Sequence, residues 1–275
     1  MLHSAPHSIV PAPTTLDLSW SGRVFLWQEQ ALFLGSASET SLHASPGIKI
    51  VVALNGVFGI RINSRAPWET FRSVMIAPGQ IHAIDGRGQE LALLVLAPEA
   101  KVAQPIAPIY LRQTISELDP GVVQKLMPFL NDSHQLDGID AARICQHMIE
   151  SVRSPQSTNE IESNFDPRVS RTVELLREET ERTSSIGEIA AHVDLSESRF
   201  SHLFSDQLRV SPRRYLLWLR LREALQLLAA GATVTHAAHG AGFADSAHLA
   251  RTFRGMLGIS PTSLIKHSSI IPAGE

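Results

Sequence analysis

"FSDQLRVSP", residues 204–212, returns as "FRGMLGISP", residues 253–261, with Phe, Leu, an aliphatic residue, Ser and Pro at matching positions. Extended upstream, "SRFSHLFSDQLRVSP" aligns with "AHLARTFRGMLGISP" at a constant offset of 49, pairing Phe200 with Leu249, Phe204 with Phe253, Leu208 with Leu257 and Val210 with Ile259. The apolar residues recur three and four apart, the spacing of a helix that buries one face and leaves the other to solvent. A chain that writes this pattern twice has two copies of one local solution.

Each copy has a partner helix before it. "AAH" occurs at Ala190 and again at Ala237, 47 apart, so the second copy carries a turn two residues longer. Ser185 and Glu188 have the spacing of a capping box, Ser196 suits the N-cap of the next helix, and Thr233 and Asp245 or Ser246 repeat the arrangement around the "GAGF" turn. Between the copies "PRRYLLWLRLREALQLLAA", residues 212–230, has no internal Gly or Pro, and Ser211-Pro212 reads as its N-cap and first-turn proline. Nineteen helical residues make a rod of roughly 28 Å, close to the ~34 Å between successive major-groove faces on one side of B-DNA. Two helix-turn-helix readers on one spacer would address consecutive groove segments; a plain helical bundle is the alternative that the same helices allow.

Upstream the period changes. "RVFLWQE", "IKIVVAL", "VFGIRIN", "RSVMIAP" and "LALLVLAP" are short, rich in β-branched residues and separated by Gly, Pro or Asn, which predicts a small antiparallel barrel or sandwich. Asn55-Gly56 suits a tight hairpin turn between the second and third runs. Two amphipathic helices follow. "DPGVVQKLMPFLND" aligns Val122, Leu126 and Phe129, and "GIDAARICQHMIESV" aligns Ala141, Cys145, Met148 and Val152. The second stripe either covers the barrel of its own chain or forms a dimer seam. Polar, aperiodic residues 153–166 read as a linker ending at Asp166-Pro167, which divides the chain into residues 1–152, that linker, and residues 167–275.

Composition agrees with two folded units, since 275 residues at 44% hydrophobic can bury a sizeable core. One cysteine, Cys145, excludes an intramolecular disulfide. No apolar run approaches the roughly 20 residues of a membrane span, and the N-terminus lacks the basic start and apolar stretch of a secretion signal. A cytoplasmic location without membrane contact is the expectation. Net charge is −3, but residues 166–275 hold 13 Lys and Arg against 12 Asp and Glu, so the acidic excess lies in the first part.

The residues also carry a family resemblance. "VTHAAHGAGFADSAHLARTFRGMLGISP" resembles the second helix-turn-helix signature of the AraC/XylS family of bacterial transcription regulators, with Gly242-Phe243, Arg251, Phe253, Gly258 and Ser260-Pro261 in place. "IGEIAAHVDLSESRFSHLFSDQLRVSPRRYLLWLRLREALQLL" is similar to that family's first motif and linker helix, and the resemblance spans roughly residues 167–265. Where many members have Gly at the end of the first recognition helix, this chain has Arg209. The resemblance implies an α+β multidomain chain: a cupin-like effector-binding and dimerisation barrel with a helical segment, then an all-α DNA-binding domain. It implies a regulator, by preference an activator, that binds double-stranded promoter DNA and works with RNA polymerase as a homodimer.

Mapped onto this chain, the first recognition helix would present Ser198, Arg199, Ser201, His202 and Ser205, and the second Ser246, Ala247, His248, Ala250 and Arg251. Arg251 is the foremost base reader, because a guanidinium bonds guanine O6 and N7 together. Arg254, Arg213 and Arg214 are phosphate candidates. Phe200, Phe204, Phe243, Phe253 and Trp218 follow the packed stripe and are assigned to the core.

The competing classes are a cupin-type metal enzyme and a module that binds a protein partner. "APGQIHAI" resembles the second cupin motif and offers His82, while "TSLHASPGIKI" offers His43 without the second His and the Glu that a metal site wants. His236 and His239 have no Cys or acidic partners nearby in sequence. Neither a metal nor another cofactor is expected, and no phosphate loop, nucleophile elbow or carboxylate pair points to catalysis. A small-molecule effector is the role expected for the barrel, with His43, Arg61, Trp68 and His82 as its contacts, and a protein partner stays open as the alternative.

Overall fold

The computed structural model describes residues 20–118, 120–130, 136–152, 165–178 and 185–273. Within them the first part is a mixed sheet: β1 (Ser21–Leu26), β2 (Gln30–Glu39), β3 (Ile48–Ala53), β4 (Phe58–Arg61), β5 (Glu69–Phe71), β6 (Ser73–Ile76), β7 (Ala83–Leu96) and β8 (Ile115–Glu117), completed by β9 (Ser268–Pro272) from the far end of the chain. The order is β8-β6-β3-β7-β2-β1-β9, with β4 and β5 branching from β7.

Two expectations change here. The sheet is open where a closed barrel was expected: the edge of β1 that closure would pair with the opposite end is taken by β9, which runs parallel to it from Gly22↔Ser268 to Leu26↔Pro272. Asn55-Gly56 turns the chain, with Gly56 at φ 67°, but β3 and β4 do not pair with each other. Both lie along the 14-residue β7, β3 against Leu91–Leu96 and β4 against Ala83–Asp85, so the turn steps the chain along one long strand. A bulge in β2 between Ala37 and Glu39 accompanies this division.

Alternation sorts the strand residues onto two faces. Ile48, Ile50 and Val52 of β3, Leu32 and Leu34 of β2, and Ala92, Leu94 and Leu96 of β7 face one core. That core is covered by a 3₁₀ turn (Lys101–Ile106) and by α1 (Ala107–Arg112), α2 (Pro120–Leu130) and α3 (Gly138–Val152). Ala141, Cys145, Met148 and Val152, the stripe that left a dimer seam open, are buried there against the sheet of their own chain, because that face would otherwise lie bare. Burial also pushes the Cys145 thiol up to about 12. Leu126 is buried as well, whereas Phe129 is exposed and stacks on His147 at 3.8 Å; the Val122 side chain lies outside the described residues.

The opposite face, with Val24, Leu26, Phe33, Val51, Leu93 and Val95, packs on the helical part. That part comprises α4 (Pro167–Glu178), α5 (Ile186–Ala191), α6 (Glu197–Leu208), α7 (Pro212–Ala229), α8 (Val234–Gly240), α9 (Ser246–Leu257) and α10 (Pro261–His267). Its starts are those the sequence encodes. Ser185 and Glu188 close a reciprocal capping box, and Ser196, Ser211, Thr233, Asp245 and Ser260 each accept a backbone N–H in the first turn of the following helix. Residues 153–164 of the expected linker lie outside the described residues; Asp166 Oδ1 accepts from Arg168 N at 2.9 Å where α4 begins.

Candidate nucleic-acid interface and the cavity behind it

The repeat becomes two helix pairs, α5–α6 and α8–α9, held by α7. Phe200, Phe204 and Leu208 of α6 and Leu249, Phe253 and Met256 of α9 are buried. Phe204 meets Tyr215 of α7 edge-on at 5.4 Å. The opposite faces are polar and open: Ser198, Arg199 and His202 of α6 are exposed, with Ser201 and Ser205 half-buried beside them. On α9, Ala247, Arg251 and Arg254 are exposed, and Ser246, His248 and Ala250 are half-buried. His248 stands edge-on to Phe243 at 5.2 Å, which fixes the ring beside the N-cap. Backbone bonding to His248 holds the Asp245 carboxyl below its usual range, with Arg251 close enough to contribute.

The two arginines at the start of α7 part company. Arg213 is exposed, 3.8 Å from Glu197. Arg214 turns the other way, and its guanidinium donates to Ala44 O at 2.5 Å and to Gly255 O at 3.3 Å. It therefore sits between the sheet and the helices, apart from the exposed faces of α6 and α9.

Both second helices end on a left-handed residue that rests on the sheet. Arg209 has φ 59° and Gly258 φ 78°. Ser41 donates to Gly258 O through its backbone N (2.9 Å) and its Oγ (3.0 Å), and Ala44 N donates to Gly255 O at 3.1 Å. A Cβ on Gly79 would stand 2.6 Å from Arg209 O, so the loop after β6 touches the first helix pair as closely. On the other side of the contact Arg177 of α4 bridges Glu29 and Glu99 at 2.9 Å each, and Tyr215 donates to Glu99.

Under this contact lies an apolar cavity of about 90 Å³. Its floor is a cross-strand row, Lys49↔Val95↔Ala31↔Leu26, with Leu93, Phe33 and Val24 of the neighbouring row; Trp218 and Leu225 of α7 and Leu257, Ile259 and Leu264 close it from above. One polar group stands out. Lys49 is 3% exposed, and its Nζ lies 2.5 Å from His43 Nε2 and 3.1 Å from His82 Nε2. Each imidazole directs Nδ1 at a backbone carbonyl, Ser41 O (2.9 Å) and Gln80 O (2.8 Å), so Nδ1 carries the proton and Nε2 accepts from the lysine. Burial lowers Lys49 to about 7. Burial first, and then the Lys49 charge, lowers His43 to about 2 and His82 well below the usual value.

Of the four expected effector contacts, the structure brings His43 and His82 together, joined by a backbone bridge with rings 4.3 Å apart. Arg61 and Trp68 form a separate pair, guanidinium over indole at 4.4 Å with Glu39 holding Arg61 at 2.9 Å, and neither lines the cavity. The point on which both Nε2 atoms converge holds a lysine and no carboxylate, so this pair does not fit a metal ion. Among the described residues, no group of three or more His, Cys, Asp or Glu could hold one. Sequence reasoning missed Lys49, although a lone charge inside the apolar run "IKIVVAL" was its signal.

Residues 189–267 match a family described as a helix-turn-helix domain. The helix-turn-helix module is similar to part of the HTH-type transcriptional regulator GbdR of Pseudomonas aeruginosa, 32% identical over 96 residues that cover 34% of this chain and 26% of that one. The chain thus matches about a quarter of the length of that relative. Over most of the chain, the fold is similar to that of ToxT from Vibrio cholerae. An apo form of ToxT superposes with TM-score 0.62 at 10% identity, covering 88% of this chain and 98% of that one. A form bound to an unsaturated fatty acid gives 0.59 at 11%, covering 88% and 96%. No helix among the described residues is long and apolar enough to cross a membrane.

Proposed function

We propose that this chain is a sequence-specific DNA-binding transcription regulator that answers to a small apolar acid. The observation that carries the reading is the helix-turn-helix module matched at residues 189–267, whose two repeated helices, α6 and α9, keep their apolar stripes buried and their polar faces free. Each would enter a major groove, and the 18-residue α7 spaces them by a rod of about 27 Å. Ser198, Arg199, Ser201, His202 and Ser205 read one segment, and Ser246, Ala247, His248, Ala250 and Arg251 the next. Arg213 and Arg254 hold phosphate. Arg214 instead serves the contact with the sheet, which its bonds to Ala44 and Gly255 favour.

The cavity is the effector site of this reading. ToxT has been solved with an unsaturated fatty acid bound. Here an apolar floor with one buried lysine would suit the same chemistry: the carboxylate takes the Lys49 proton that the two imidazoles leave free, and the chain lies over Val95, Ala31 and Leu26. At about 90 Å³ the cavity is smaller than the roughly 150 Å³ that admits a benzene ring. Occupancy by a longer acid therefore requires the helices to lift from the sheet, which couples the ligand to the contacts at Gly258 and Arg209. As a regulator it would act on RNA polymerase, as an activator, in a homodimer whose seam lies elsewhere than the buried face of α3.

Selection of sites from random duplex DNA with the full chain at near-physiological salt tests the reading. Enrichment of a site with two elements about one helical turn apart is the expected result; folded protein that enriches nothing, with and without added fatty acid, overturns it.

A further inference from the structure

The chain carries its positive charge almost wholly on arginine, with 20 arginines against four lysines, Lys49, Lys101, Lys125 and Lys266. Lys101 and Lys266 are exposed, whereas Lys49 is 3% exposed and lines the apolar cavity together with His43. Either cation could hold an acid there, and the two-pronged guanidinium would hold it more firmly; only a lysine can shed its proton inside a fold and become a nucleophile. Lysine at this one buried position therefore points past charge pairing.

The surroundings of Nζ suit that role. His43 Nε2 at 2.5 Å and His82 Nε2 at 3.1 Å are both acceptors, because each ring uses its Nδ1 proton on a backbone carbonyl. A neutral amine has two protons, and these two imidazoles take both. Its lone pair is then left at the third position, where Nζ has no hydrogen-bond partner among the described residues. No carboxylate lines the cavity to hold the ammonium form, and burial lowers the amine to about 7. Much of the population is thus unprotonated at neutral pH, where an exposed lysine is almost wholly charged.

We infer that Lys49 captures short apolar aldehydes covalently, as an imine inside this cavity. The lone pair of Nζ attacks the carbonyl carbon, a C–N bond forms, and the carbonyl π electrons move to oxygen. Water then leaves as C=N forms, and the two hydrogens it carries away are the two amine protons, passed to the oxygen through His43 and His82 Nε2. No oxidant, reductant or cofactor is needed. The volume sets the chain length: about 90 Å³ holds roughly three groups the size of a water molecule at ~30 Å³ each, which are the three carbons of propanal once its oxygen has left. The inference rests on the effector site proposed above and gives it a second class of ligand.

Propanal with sodium cyanoborohydride, added to the full chain at neutral pH, turns an imine into a stable propyl-amine that peptide mass spectrometry locates. Lys49 is expected to be labelled at least about tenfold faster than Lys101 and Lys266, since a far larger fraction of it is neutral. Unfolding in guanidinium chloride should erase the preference. Benzaldehyde, whose ring needs roughly 150 Å³, should also lose it. Lys49 left unlabelled while the exposed lysines react, equal labelling of all three, or a preference that survives unfolding or the change to benzaldehyde overturns the inference. The label is read without DNA or an acid, so its failure leaves the regulator standing, and failed site selection leaves the capture site.

Discussion

Arg209 and Gly258, 49 positions apart, hold the same left-handed backbone at the ends of α6 and α9, and both touch the sheet. At Gly258 the touch is closest: a Cβ there would stand 2.5 Å from His43 Nδ1 and 2.7 Å from Thr40 Cβ. Gly258→Ala therefore combines left-handed strain of about 1–2 kcal/mol with a clash against the loop after β2. We expect the sheet and the helical module to melt as two transitions in calorimetry where the unaltered chain melts as one; a single transition at the original temperature would refute the close fit.

Protonation makes a second prediction. Lys49 falls from 10.5 to about 7 in the fold, so between those values the unfolded chain binds a proton that the folded chain does not. Stability then rises as pH is raised from about 7 towards 10.5, and the whole penalty is present below about 7. His43 and His82 are also held neutral, so stability falls further as pH drops below their ordinary 6.5. Urea midpoints at a series of pH values should climb through the alkaline range, and Lys49→Met should flatten that climb.

Arg251 is exposed on α9 in the position assigned to base reading. Arg251→Ala is expected to cost about 1–3 kcal/mol at the selected site and much less on random DNA. Mobility-shift titrations on both DNAs check this, and an unchanged ratio between them would move Arg251 to a phosphate role.

Met148 is fully buried in the core under α3. Met148→Ala should destabilise the chain by about 2–5 kcal/mol without altering its sedimentation mass. A change of mass at unchanged stability would return this face to an interface between copies.

The helical module was largely legible in the sequence because its signals are local. Ser185 with Glu188, Ser196, Ser211-Pro212 and Thr233 mark starts within a few residues of the helices they cap. At Arg209, where many members of the resembled family have Gly, the sequence left the backbone open, and the residue takes the left-handed form itself. The sheet was less legible because its order depends on distant partners. Nothing near "SSIIP" announces a strand, since β9 exists only where β1 offers an edge. Asn55-Gly56 has the chemistry of a hairpin but serves a chain that both flanking strands lay against β7. Lys49 illustrates the same limit at the site. Its charge was visible in the run, but the two imidazoles that face it come from positions 6 and 33 residues away, and only the fold brings them there.

The parallel pairing of β9 with β1 orders events during synthesis. β1 is complete once Leu26 has been made, yet the strand that covers its outer edge ends at Pro272, after every helix of the helical module. A nascent chain therefore carries an open strand edge, the template on which other chains aggregate, until nearly all of the sequence given has left the ribosome. Ribosome stalling or proteolysis ahead of residue 268 would release a sheet with a bare margin.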